Sequence, residues 1–173
     1  HPYARTFYNR NKVMSNLGFD HFIGAEAFAE PTGRVVSDIA LADWINKFIK
    51  RQTHPTFVFA ITIANHGPWE NATSLRADQE LNHYFDCLRQ TDNMIKCLLD
   101  SIWLQQDNGI FAYYGDHQPS LKSHSHKYDT TDITTDYFIM DLQAQQGTEK
   151  DIHINAFGHL IAKRLTERSR VTK

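Results

Sequence analysis

The run Tyr114-Gly-Asp-His-Gln-Pro119 places a carboxylate and an imidazole side by side at the end of an apolar segment. An oxygen from Asp116 and a nitrogen from His117 make a mixed ligand set. Such a set suits Zn²⁺ or Mn²⁺ better than Ca²⁺, which is held by oxygens alone. Gly115 lets the backbone turn so that both side chains aim at one ion. The same three residues also fit a plain turn closed by an Asx hydrogen bond, and the triplet alone does not choose. A second apolar segment ends Ile63-Ala-Asn-His-Gly-Pro-Trp69 and carries His66. Taken singly, His66 reads as a surface or packing histidine. His124 and His126, in the stretch KSHSHKY, are an His-x-His pair suited to a second metal or a phosphate, and equally to a polar loop.

The elements that must position these residues follow from periodicity. Ser37 can cap a helix over 37–50, with Ile39, Ala42, Trp44, Ile45, Phe48 and Ile49 as its apolar stripe. The unbroken apolar run 56–63 predicts a strand buried on both faces. A long helix is predicted over 78–104, with Leu81, Tyr84, Phe85, Leu88, Ile95, Leu98, Leu99 and Ile102 at helical spacing. Strands are predicted at 110–114 and 137–141, and a last helix at 154–167. Residues 1–33 read as irregular. The alternation predicts an α/β fold with a mostly parallel sheet flanked by helices on both faces. In such sheets ligands lie beyond the C-terminal ends of the strands, so His66, Asp116 and His117 are expected together on one edge.

The 173 residues carry a formal net charge of -2, with 18 Lys and Arg against 20 Asp and Glu. That balance gives no basic footprint for nucleic acid or for an anionic membrane surface. No apolar run approaches the roughly 18–20 residues that span a bilayer. Cys87 and Cys97 are the two cysteines. Both fall in the long helix, about 15 Å apart along its axis, so no disulfide joins them.

Considered jointly, HPYARTFYNR at 1–10, NLGFDHF at 16–22, NHGPW at 65–69 and YGDHQP at 114–119 resemble a known family. The chain is similar to the C-terminal half of a sulfatase-like catalytic domain of the alkaline phosphatase superfamily. The nearest members are lipoteichoic acid synthases and related phosphoglycerol transferases. The resemblance implies that Asp116 and His117 are ligands of a catalytic divalent metal, with Mn²⁺ expected first and Zn²⁺ or Mg²⁺ as alternatives. It implies that His66 contacts the substrate phosphate or the leaving group, and that Arg10 binds phosphoryl oxygens. His1 would line the glycerophosphate pocket. Tyr8 stands where the synthases commonly carry a Trp that packs on the glycerol. A metal and an arginine are what phosphoryl transfer requires, since its barrier falls mainly by stabilising charge on the equatorial oxygens.

The resemblance also implies what the chain lacks. The family nucleophile is a metal-bound threonine, and Thr6, Thr32, Thr53 and Thr56 occupy the wrong context for it. The expectation is therefore a partial domain, residues 1–173, whose N-terminal portion with nucleophile and further ligands lies elsewhere and is its first partner. Alone it should be inert. The whole enzyme would move phosphoglycerol or phosphoethanolamine from a phospholipid donor to a cell-envelope glycan or lipid acceptor. It would work on the periplasmic or extracellular face of the cytoplasmic membrane, anchored by upstream transmembrane helices. The alternatives are a sulfatase or phosphodiesterase of the same superfamily, or a non-catalytic binding domain that keeps the fold.

Overall fold

The computed structural model describes residues 1–28, 35–67, 77–105, 109–119, 121, 133–141 and 149–171. They fall into two compact units, His1–Asp100 with Pro119–Tyr128, and Ser101–Gln118 with Asp129–Lys173. No described helix is long and apolar enough to cross a membrane.

The first unit opens with a 3-10 turn at Phe7–Asn9 that runs into helix α1 (Arg10–Asn16), and a second 3-10 turn follows at Ala25–Ala27. Sequence periodicity missed all three, because α1 has no buried residue and so no apolar stripe to betray it. Helix α2 (Asp38–Ile49) starts where the cap predicts: the Ser37 hydroxyl accepts from the Ala40 N–H at 3.2 Å. Its buried face is Asp38, Leu41, Ala42 and Ile45. Helix α3 (Ala77–Gln105) matches the predicted long helix. Its buried stripe, however, runs through Cys87, Thr91, Met94 and Leu98, while Phe85 and Leu88 of the expected stripe are exposed. Spacings of four, three and four keep those buried residues on one face, so a polar Thr91 sits inside it. The Asn46 amide donates to Cys97 Sγ at 3.6 Å, tying α2 to α3.

Residues 56–63 correct the expectation of a strand buried on both faces. They form no strand and belong to no sheet, and Phe57 is 70% exposed and Phe59 42%. An apolar run becomes a strand only when a neighbour supplies ladder hydrogen bonds, and no described segment does so here. Phe19, from the NLGFDHF motif, stacks over both rings at 6.0 and 6.4 Å. A cavity of about 410 Å³ lies in this unit, lined among others by His1, Phe19, His21, Trp44, His54 and Phe57.

The second unit holds β1 (Ile110–Tyr114), β2 (Tyr137–Asp141) and helix α4 (Ile154–Val171). The strands pair antiparallel, with Ile110 opposite Asp141, Ala112 opposite Ile139 and Tyr114 opposite Tyr137. Among the described residues this two-stranded sheet replaces the mostly parallel one expected. Cross-strand aromatics knit the pair, with Phe138 stacked on Phe111 and Tyr113 at 5.7 and 5.6 Å. Helix α4 covers β1 through the buried Phe157, whose ring meets Tyr114 at 5.1 Å and Tyr137 at 5.5 Å.

Candidate functional site

Three of the residues singled out from the sequence converge at the start of the chain. Arg10 Nη1 lies 2.7 Å from His1 Nδ1 and 3.1 Å from His1 Nε2. A guanidinium only donates, so the imidazole is the acceptor in this contact. The Arg10 guanidinium carbon sits 5.5 Å from the Phe7 ring centre and 5.8 Å from that of Tyr8. Two aromatic faces and an imidazole thus hold one cation in place. Tyr8 is 77% exposed, which leaves its ring open to a ligand.

The backbone that achieves this is strained. Tyr8 (φ 52, ψ 30) and Asn9 (φ 53, ψ 26) are consecutive left-handed residues, and neither is glycine. Asparagine tolerates that region, whereas a tyrosine held there costs on the order of 1–3 kcal/mol. The kink immediately precedes α1, whose first residue is Arg10. The segment is anchored by the His1 amino group donating to Ile23 O at 3.1 Å and by Ala25 N–H donating to Tyr3 O at 2.9 Å.

His66 lies in the same unit, on the turn that follows the apolar segment 56–63. Its backbone N–H donates to Ile63 O at 3.0 Å, and its Nδ1 is 2.5 Å from Gly67 O. The residue before it is held more deeply. Asn65 Nδ2 donates to Thr91 Oγ1 at 2.8 Å, and Thr91 Oγ1 donates to Asp38 Oδ2 at 2.6 Å. Asp38 is 1% exposed, and burial pushes its carboxyl above the ordinary aspartate range, partly countered by the Thr91 hydroxyl. Among the described residues the buried Asn65 Oδ1 atom has no hydrogen-bond partner. Sequence reasoning passed over Asp38, Asn65 and Thr91. The available signal was Thr91, a polar residue inside the apolar stretch of α3.

In the second unit, Asp116 and His117 follow the end of β1. Gly115 N–H donates to Asp136 O at 3.0 Å, and the Thr135 hydroxyl donates to Gly115 O at 2.7 Å. Gly115 is not left-handed, and close approach explains it better: a Cβ there would lie 3.2 Å from Thr135 Cβ. The Gln118 amide donates to Thr134 O and closes the turn. His117 Nδ1 is 2.9 Å from Gln118 O, which selects the tautomer that donates from Nδ1 and carries its lone pair on Nε2. That Nε2 is 3.7 Å from Asp116 Oδ1, and both side chains are exposed. Two ligands each about 2.0–2.2 Å from one ion lie at most about 4.4 Å apart, and the 3.7 Å separation falls within that bound. Among the described residues no group of three or more His, Cys, Asp or Glu side chains gathers for a metal. His66 belongs to the first unit and the Asp116–His117 pair to the second. His124 and His126 lie outside the described residues.

The chain matches the sulfatase family model over residues 1–164. It is 36% identical over 147 residues to the capsular polysaccharide biosynthesis protein RkpI of Rhizobium meliloti (strain 1021), which covers 82% of this chain and 27% of that protein. It is 29% identical over 137 residues to a putative cyclic beta-1,2-glucan modification protein of the same strain, covering 71% of this chain and 21% of that protein. Lipoteichoic acid synthase 1 of Bacillus subtilis (strain 168) is 24% identical over 139 residues, covering 72% of this chain and 22% of the synthase. The chain therefore spans only 21% to 27% of the length of these curated relatives. No solved structure matches it.

Proposed function

Because the chain belongs to the sulfatase family, we propose that it is part of a metal-dependent transferase that moves phosphoglycerol or phosphoethanolamine from a phospholipid to a cell-envelope glycan or lipid. The observation that carries this reading is the Arg10 guanidinium, held by His1 and by the Phe7 and Tyr8 rings. A fixed fork of N–H donors beside an exposed aromatic face suits a phosphodiester with a small polar headgroup. The names of the relatives point the same way, toward polysaccharide synthesis and modification and toward lipoteichoic acid.

In this reading Arg10 binds two phosphoryl oxygens, His1 orients Arg10 and lines the headgroup pocket, and Tyr8 packs on the glycerol carbons. His66 contacts the phosphate or the leaving oxygen. Asp116 Oδ1 and His117 Nε2 are two of the metal ligands, with Mn²⁺ preferred over Zn²⁺ or Mg²⁺. Once bound, such an ion neutralises charge on the phosphoryl oxygens and lowers the pKa of an oxygen nucleophile. The threonine nucleophile and the remaining ligands lie outside these 173 residues in this reading. The transfer takes place on the periplasmic or extracellular face of the cytoplasmic membrane.

The test uses the complete protein encoded by the gene and phosphatidylglycerol labelled in its headgroup. Transfer of label to an added acceptor glycan, with little release in its absence, is the expected result. Release of free glycerophosphate at the same rate with or without acceptor identifies a hydrolase and overturns the transferase reading.

A further inference from the structure

The chain Asp38–Thr91–Asn65 joins three separated parts of the sequence and ends one residue before His66. A threonine hydroxyl has one proton to give. Two acceptors are within reach of Thr91, the Asp38 carboxylate at 2.6 Å and Cys87 O one helical turn back at 3.3 Å. The shorter, charge-assisted contact takes the proton. Thr91 is then left with acceptor capacity only, so the Asn65 group facing it must be the NH₂ end of the carboxamide. The buried charge of Asp38 thereby determines, through Thr91, which way the Asn65 amide points. With NH₂ on Thr91, Asn65 Oδ1 is directed to the opposite side, where it is buried and has no partner among the described residues. The backbone at 65–66 is confined in turn, since the His66 N–H closes a tight turn on Ile63 O.

Burying a carboxylate at 1% exposure is unfavourable for folding, and two apolar residues of matching shape would fill the same space without that penalty. The arrangement makes sense if it holds something that matters. We propose that Asp38 and Thr91 are positioning residues for His66, acting through the carboxamide of Asn65. The proposal rests on the phosphotransfer reading for its consequence in turnover, but its structural content stands apart from that reading. Neither Asp38 nor Thr91 touches the donor. Their role is to keep the turn that carries the imidazole in one conformation.

The experiment uses the complete protein with selectively labelled asparagine and histidine. In the unaltered protein, one side-chain amide proton of Asn65 exchanges with solvent far more slowly than those of the exposed Asn11. Thr91→Val keeps the shape but can neither donate nor accept. It abolishes that protection and displaces the His66 imidazole resonances, whereas Thr91→Ser keeps both. In the transfer assay Thr91→Val lowers kcat about tenfold or more with little change in KM, the pattern of a misplaced group, and Thr91→Ser restores it. Fast exchange of the Asn65 amide in the unaltered protein overturns the inference even if Thr91→Val does not fold. So do unchanged His66 resonances or an unchanged kcat in Thr91→Val. Absence of any headgroup transfer by the unaltered protein is the separate failure of the phosphotransfer reading, and the exchange and resonance measurements still decide the inference.

Discussion

Thr91 donates to the Asp38 carboxylate at 2.6 Å, across the two helices that form the core of the first unit. Asp38 occupies the first turn of α2, where the helix dipole favours a negative charge, and this offsets part of the cost of burial. The net shift of the Asp38 pKa is nonetheless upward, because burial, which raises it, outweighs the Thr91 hydroxyl, which lowers it. The folded state therefore binds a proton at Asp38 more tightly than the unfolded chain does. The stabilisation from this group is complete below the ordinary aspartate pKa and is lost as pH rises through the raised folded value.

Asp38→Asn removes that titration and keeps an oxygen for Thr91 to donate to. Its stability relative to the unaltered protein should rise with pH across that window and level off above it. Asp38→Ala instead takes away the acceptor inside the core and should cost about 1–3 kcal/mol. Urea unfolding of both variants at several pH values checks the signs.

The kink at Tyr8 and Asn9 separates stability from binding. Asn9→Gly relieves a left-handed residue without touching Arg10 and should leave stability level or raise it by up to about 1 kcal/mol. Tyr8→Gly relieves more strain but removes a ring from beside the guanidinium. It should be as stable as the unaltered protein or more so, yet bind a glycerophosphate headgroup more weakly. Thermal midpoints and the KM for the phospholipid donor provide the two readings. Weaker binding by Asn9→Gly as well would mean that the kink itself, rather than the Tyr8 ring, serves the ligand.

Thr135 packs closely against Gly115. Gly115→Ala brings a Cβ to 3.2 Å from Thr135 Cβ, so Thr135 must give by a few tenths of an ångström. The expected cost is about 1–3 kcal/mol, and the next residue, Asp116, moves with the backbone. Chemical unfolding gives the first number. A weaker Mn²⁺ isotherm for the complete protein gives the second.

The metal pair makes its own prediction. Asp116→Ala and His117→Ala should each weaken Mn²⁺ binding by the complete protein, since each removes one side of a 3.7 Å pair. Calorimetry on the complete protein decides it, and equal affinity in all three proteins would remove both residues from the metal site.

What could be read from the chain divides by range. The Ser37 cap and the span of α3 depend on neighbours three or four residues away, so local spacing was enough to find them. The buried face of α3 depends on what packs against it, and it turned out to contain Thr91 rather than Phe85 or Leu88. The polar chain from Asp38 to Asn65 joins residues far apart in sequence, and no local pattern announces such a contact. Left-handed Tyr8 was equally invisible, because the turn rules look for glycine or asparagine there and not for an aromatic. The apolar run 56–63 predicted a buried strand, and it forms none, because apolarity alone does not show whether a neighbouring strand is present to pair with. At the site, His1, Tyr8 and Arg10 were picked out by their motif and do converge. Their support from Phe7 was not anticipated.

The most direct measurement is headgroup transfer from labelled phosphatidylglycerol by the complete protein, stripped of metal and then titrated with Mn²⁺, beside Arg10→Ala and Asp116→Ala. Transfer should appear with added Mn²⁺ in the unaltered protein. It should fall by about 10²-fold or more in Arg10→Ala at saturating metal, and should need far more metal in Asp116→Ala. Transfer that proceeds without metal, or at the same rate in both variants, would contradict the assignment of this site to phosphoryl transfer.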